Sequence, residues 1–117
     1  MLEFKMVITK DAKNKIKDLL AADIFSAISG LSSQPINATD TSLIIPDLST
    51  ENPVTTTLFN QTINTLYILY SNQGNGVTYK ESGIKTSNGV QLNRIIFPDI
   101  DKDSSSEYHI TYVNRVD

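Results

Sequence analysis

The chain has 117 residues, which fits one domain of common size, and it contains no cysteine. The absence of cysteine excludes disulfide scaffolds, thiol catalysis, zinc–thiolate sites and iron–sulfur clusters. A net charge of −3 argues against nucleic acid as a partner, because neutralising phosphates needs clustered Lys and Arg, and no apolar run approaches the roughly 20 residues of a membrane span.

The first predicted element is an amphipathic helix from about Lys10 to about Asp23, with Thr9 as its N-cap. Apolar residues recur at the spacing of one helical face, at Ala12, Ile16, Leu19, Leu20 and Ile24. We expect Ile16, Leu19 and Leu20 to be structural determinants buried against the rest of the domain. Leu19→Asp should then unfold the protein, because it would bury an unpaired charge.

A long polar connection is predicted from about residue 30 to residue 53, where small polar residues are frequent and prolines stand at 35, 46 and 53. Connections of this length without structure are uncommon in compact domains. Residues 25–28 are therefore a candidate strand ahead of it. We expect one domain over residues 1–117 rather than two domains joined by a linker.

From residue 54 onward the composition favours strands, because β-branched and aromatic residues dominate. Five strands are predicted, over 54–59, 63–70, 77–84, 90–97 and 107–113. In the last of them Tyr108, Ile110 and Tyr112 should share one face. The predicted class is α+β and mostly β, with the N-terminal helix packed on an antiparallel sheet or sandwich of five to six strands.

Glycines are expected to set backbone turns at two places in this region, Gly83 and Gly89. Asn88-Gly89 is the strongest hairpin signal in the chain, because a type I′ turn needs positive φ at both central residues. We therefore predict a two-residue turn there.

The acidic run after Pro98 resembles the first half of a calcium loop, with carboxylates at Asp99, Asp101 and Asp103. Such a loop needs Gly at its sixth position and a bidentate Glu at its twelfth. Those positions hold Ser104 and Ile110, so we interpret the run as a solvated turn. Weak calcium binding by the three aspartates is the alternative, and no other metal or cofactor is predicted.

His109 is the only histidine, so one chain cannot build a Ser–His–Asp triad or a histidine metal cluster. Its place in an alternating strand predicts a surface or half-buried side chain. We predict no catalytic residue and no enzymatic activity.

Several segments, in order, resemble a known family. Residues 8–21 look like a Thr-capped opening helix that ends in an Asp-Leu-Leu step, and residues 26–43 resemble the strand and loop that follow it. Residues 75–84 match a strand that ends in Glu-x-Gly and an apolar residue. A hairpin at 88–89 and an aromatic last strand complete the order. The chain is thus similar to small proteins associated with the tail fibre, baseplate or collar of tailed viruses of bacteria and archaea.

This resemblance implies a non-enzymatic structural protein of the virion, assembled in the host cytoplasm. Its partners would be other virion proteins and copies of itself, and neither nucleic acid nor a membrane. The residues leave a second class open, a carbohydrate- or receptor-binding β-module that stacks a glycan on Tyr67, Tyr70 or Tyr79. Residues 55–57, three consecutive threonines, are interpreted as an ordinary exposed strand, and the alternative is a sheet edge that pairs with a neighbouring molecule.

Overall fold

Helix α1 spans Lys10–Asp23, in agreement with the predicted range. Its N-cap is confirmed, because the Thr9 hydroxyl accepts a hydrogen bond from the Ala12 backbone N–H at 3.1 Å. The helix ends as the chain becomes extended at Ile24, whose N–H donates to the Leu20 carbonyl. The structure, a computed structural model, describes residues 9–37, 39–60 and 62–115.

Seven strands follow within the described residues and form two antiparallel sheets. They are β1 (Ile24–Gly30), β2 (Pro46–Pro53), β3 (Thr55–Phe59), β4 (Thr62–Leu69), β5 (Val77–Thr86), β6 (Ile95–Lys102) and β7 (Tyr108–Arg115). Sheet A has the strand order β2-β1-β5-β6, and sheet B has the order β3-β4-β7. The predicted α+β, mostly-β class with an N-terminal helix is confirmed, with more strands than the five to six expected.

The connection predicted to run from 30 to 53 is shorter, because residues 46–53 form strand β2. This strand pairs with β1, for example Ser26 with Pro53 and Gly30 with Pro46. Proline cannot donate to a sheet ladder, so it is tolerated only at strand ends and on edge strands. β2 lies at the edge of sheet A with a proline at each terminus, and the connection that remains is 31–45.

The predicted strand 90–97 is displaced along the chain, because β6 spans Ile95–Lys102 and contains Pro98. β6 is the other edge of sheet A, where the missing N–H of a proline costs no ladder bond. The run of aspartates is therefore mainly strand, and the turn begins only at Asp103.

The predicted type I′ turn at Asn88-Gly89 is wrong. Gly89 has a φ of +82°, whereas Asn88 is not among the described residues with positive φ. The Gly89 N–H donates to the Thr86 carbonyl and the Thr86 N–H donates to the Val90 carbonyl. This is a three-residue loop in which only the last residue is left-handed.

Gly83 does not set a turn either, since it lies inside β5. A Cβ atom at this position would collide with the Asn93 carbonyl and the Gln91 side chain. The glycine is therefore required by the close approach of the segment 91–93, which crosses the outer face of sheet A.

The core lies between the inner faces of the two sheets and is rich in tyrosine. The Tyr108 ring on β7 makes edge contacts with Tyr67 and Tyr79, at centroid separations of 6.3 Å and 6.0 Å. Further members of the buried cluster are Ala27, Leu69, Ile84 and Tyr112. The predicted face of the last strand is confirmed, because Tyr108, Ile110 and Tyr112 are buried or half-buried while the residues between them are exposed.

Strand β5 changes its inward face along its length. Tyr79 and Ile84 both belong to the core cluster, although their odd spacing would put them on opposite faces of a regular strand. The pairing of β5 with β6 shifts register between Tyr79 and Glu81, and such a bulge reverses the side-chain alternation. Glu81 consequently lies on the outer face of sheet A.

The expected burial of the helix is wrong. Ile16 is 45% exposed, Leu19 is 60% exposed, and no residue of α1 is fully buried. The two sheets cover each other's apolar faces, and the helix contacts the sandwich beside the start of β1 and beside β4 and the turn before it. Leu20 is half-buried there. The molecule is correspondingly elongated, with dimensions of 58 × 30 × 24 Å.

Leu69→Ala should lower the free energy of unfolding by about 2–5 kcal/mol, because it empties part of the core. Leu19→Ala is the matched control, and its effect should be below about 0.5 kcal/mol because the side chain faces solvent. Urea unfolding followed by circular dichroism measures both changes. An equal loss in the two variants would show that the helix face is buried and would contradict this packing.

Candidate functional site

The three aspartates of the calcium-like run do not converge. Asp99 and Asp101 lie exposed on β6, and the Asp101 carboxylate accepts a hydrogen bond from Thr78 Oγ1 at 2.6 Å. The Asp103 carboxylate instead caps its own turn by accepting from Ser105, which lowers the pKa of Asp103. Across residues 9–37, 39–60 and 62–115, no three acidic or histidine side chains are placed to hold a metal ion.

His109 lies on the outer face of β7 with a half-exposed side chain, as expected for a surface residue. Its Nε2 is 3.1 Å from Glu107 Oε1. No hydroxyl nucleophile is hydrogen-bonded to the imidazole within the described residues.

Two of the three tyrosines proposed as stacking faces are core residues, because Tyr67 and Tyr79 have no exposed surface. The Tyr67 hydroxyl donates to the Thr50 carbonyl at 2.8 Å, and the Tyr79 hydroxyl donates to Asp47 Oδ2 at 2.8 Å. Burial raises the pKa of both phenols, and for Tyr79 the hydrogen bond to the Asp47 carboxylate raises it further. Their faces cannot bind a glycan, and only Tyr70 of the three is exposed.

A buried ion pair, which the sequence did not predict, lies on the outer face of sheet A. Arg94 Nε donates to Glu81 Oε1 at 2.8 Å, and both side chains are almost fully buried. The Glu81 carboxylate also accepts the backbone N–H groups of Ser32, Ile44 and Ile45 at 2.9–3.0 Å. Burial alone would raise the pKa of Glu81, but these four hydrogen bonds outweigh it and hold the pKa below its ordinary value.

The ion pair fixes the ends of the segment 31–45, whose described residues form no strand. Arg94 reaches the Ser32 carbonyl through Nη2 at 3.4 Å, and its Nη1 lies 3.6 Å from Asp40 Oδ2. A cavity of about 180 Å³ lies beside Asp40 and Arg94 under this segment. The cluster therefore holds a loop in place, which is a structural role.

The end of the molecule that carries the helix exposes several large apolar side chains. Besides Ile16 and Leu19, Phe25 at the start of β1 and Phe59 at the end of β3 are mostly exposed. The Lys17 ammonium donates to the Asn60 carbonyl at 2.6 Å, which ties the β3–β4 turn to the helix. We name these exposed apolar residues the helix-end surface, and its members are Ile16, Leu19, Phe25, Leu58 and Phe59.

The helical spacing of Ile16 and Leu19 indicated an apolar face in the sequence, but this face was predicted to be buried in the core. The contribution of Phe25 and Phe59 had no local signal, because an exposed phenylalanine in a strand has the same sequence pattern as a buried one.

The chain matches no protein-family model, and no curated protein matches it in sequence. Among the described residues, no helix has the length and apolar character required to cross a bilayer.

Glu81→Gln should destabilise the fold by about 3–5 kcal/mol, because it removes the close counter-charge of the buried Arg94 guanidinium and leaves only the longer contact with Asp40 at 3.6 Å. The exposed carboxylate variant Asp99→Asn is the control and should change the free energy of unfolding by less than about 0.5 kcal/mol. Chemical unfolding of the three proteins at neutral pH measures these differences.

Glu81→Gln also tests how much Glu81 contributes to the loss of stability at low pH. A carboxylate whose pKa is lower in the folded state stabilises the fold above its unfolded pKa of about 4.3, and this contribution is lost as the pH falls further. Stability of the wild type should therefore decrease with acidification below that pH, and the decrease should be smaller in Glu81→Gln. Parallel pH profiles for the two proteins would contradict an ionised Glu81.

Proposed function

We propose that this protein is a non-enzymatic structural component of a tailed-virus particle, associated with the tail fibre, baseplate or collar. In this role it acts by protein–protein contacts with copies of itself and with other virion proteins, after assembly in the host cytoplasm. The place in a virion is supported by the resemblance that runs from the opening helix to the last strand. The mode of action is supported by one observation, the exposed helix-end surface.

The energetics of the helix favour a partner on that surface. α1 has 14 residues and no buried side chain, and isolated helices shorter than about 12–15 residues are marginal in water. Covering the apolar face would contribute roughly 25 cal/mol for each Å² removed from water. A neighbouring subunit that packs on Ile16 and Leu19 would thus stabilise the helix and gain affinity from the same contact.

The edges of the two sheets differ in their capacity to pair with another chain. β2 and β6 carry prolines, which block an added strand at those positions. The edges of sheet B, β7 and β3, contain none. Among the described strands β3 pairs only with β4, which places residues 55–57 at an edge. Its free side is open to strand addition, and it ends at Phe59 of the helix-end surface.

Leu19→Glu should weaken self-association, because it places a charge at the centre of the apolar helix face. Light scattering over a concentration series measures the mass of the wild type and the variant. We expect oligomers in the wild type and a midpoint shifted to about tenfold higher concentration in Leu19→Glu, equivalent to 1.4 kcal/mol. Leu48→Glu changes a still more exposed leucine, which lies on β2 away from the helix; it is the control and should behave as the wild type.

A wild type that stays monomeric at all concentrations would contradict self-assembly through this surface. The virion assignment has its own test, which is co-sedimentation of the protein with intact particles of the virus that encodes it. Recovery only in the particle-free supernatant would contradict that part of the proposal.

A further inference from the structure

A groove with a polar floor crosses the outer face of sheet A near the junction of α1 and β1. Its volume is about 340 Å³, within the range of about 300–1,000 Å³ typical of small-molecule sites. The floor is built by one side chain from each of three neighbouring strands, Glu51 of β2, Ser26 of β1 and Lys85 of β5. Ser26 is in register with Lys85 on β5 and with Pro53 on β2, and Glu51, two residues before Pro53, reaches both Ser26 and Lys85 with its side chain.

The floor is electrically balanced but has unused hydrogen-bonding capacity. Glu51 Oε1 forms an ion pair with the Lys85 ammonium at 2.7 Å and accepts a hydrogen bond from the Ser26 hydroxyl at 3.3 Å. Within the described residues Glu51 Oε2 accepts no hydrogen bond, and the ammonium has two N–H groups left because it donates only to Oε1. A carboxylate acceptor and ammonium donors therefore stand side by side.

This arrangement selects a particular ligand chemistry. Because the charges of Glu51 and Lys85 cancel, the floor favours neither an anion nor a cation. Two hydroxyls on adjacent carbons satisfy both free groups, since one hydroxyl donates to the carboxylate and the other accepts from the ammonium. Neutral saccharides carry such pairs, whereas an extended peptide backbone does not present two hydroxyls.

One wall of the groove supplies an aromatic surface. The Phe25 side chain is 58% exposed and lines the groove together with Pro53. Sugar rings have a C–H face that packs on an aromatic ring while their hydroxyls bond to polar groups beside it. The turn at Gly89 also lines the groove, and the absence of a side chain there leaves open space.

We propose that this groove binds a neutral mono- or disaccharide, with a vicinal hydroxyl pair on Glu51 and Lys85 and a pyranose ring on Phe25. The site is separate from the buried tyrosines and does not depend on the virion assignment.

The test is a titration of ¹⁵N-labelled protein with the methyl glycosides of glucose, galactose and mannose, followed by NMR. At least one of them should shift the backbone amides of residues 25–26 and 85–89. Phe25→Ala and Lys85→Met should each weaken that binding by about tenfold, through loss of ring packing and of the donor respectively. The same spectra show whether each variant is folded.

Leu48→Ala is the control, because it removes an exposed apolar side chain that lies outside both the groove and the helix-end surface and should leave the affinity unchanged. The proposal is overturned if none of the three glycosides shifts the groove amides, or if binding persists at full strength in Phe25→Ala. Because oligomeric state is measured separately by light scattering, failure here leaves the assembly proposal standing.

Discussion

The register shift in β5 is the constraint on which both faces of sheet A depend. It turns Tyr79 and Ile84 to the same side, so that β5 contributes to the core along its whole length. The same shift turns Glu81 outward, where its carboxylate takes three backbone N–H groups from the segment 31–45. In a regular strand Tyr79 and Glu81 would lie on the same face, so Tyr79 could not face the core while Glu81 faces outward. The buried Glu81 carboxylate is paired with Arg94. These contacts hold the segment 31–45 against the outer face of sheet A.

Closure of the sandwich explains why the helix is left exposed. The inner faces of the two sheets bury each other around Tyr67 and Tyr108, so the core is closed without a contribution from α1. A helix that follows the same 3.6-residue pattern as a core helix is thus placed at the end of an elongated molecule. Its apolar face is available for a neighbouring chain. That consequence of the packing, rather than any catalytic arrangement, is what favours an assembly role.

Sequence reasoning succeeded where local chemistry decides the structure and failed where distant residues decide it. The bounds of α1 and the Thr9 cap follow from periodicity and capping, which act over a few residues. β2 was missed because its prolines and polar residues resemble a loop until an edge position makes them compatible with a strand. The stripe at Leu19 indicated an apolar face without indicating what covers it. The Glu81–Arg94 pair depends on the bulge in β5, and the residue pattern of β5 does not indicate where that bulge lies.

The same limit applies to the groove, since Ser26, Glu51 and Lys85 are distant in sequence and meet only through strand pairing. Phe25 connects the two proposals, because it lies in the helix-end surface and also in the groove wall. A subunit packed on the far side of the helix would leave the groove open, whereas one packed directly over Phe25 would close it. An assembly that keeps saccharide binding must therefore seat its partner on Ile16 and Leu19 and away from the start of β1. This geometry restricts the partner to the helix and the β3–β4 turn that Lys17 holds against it.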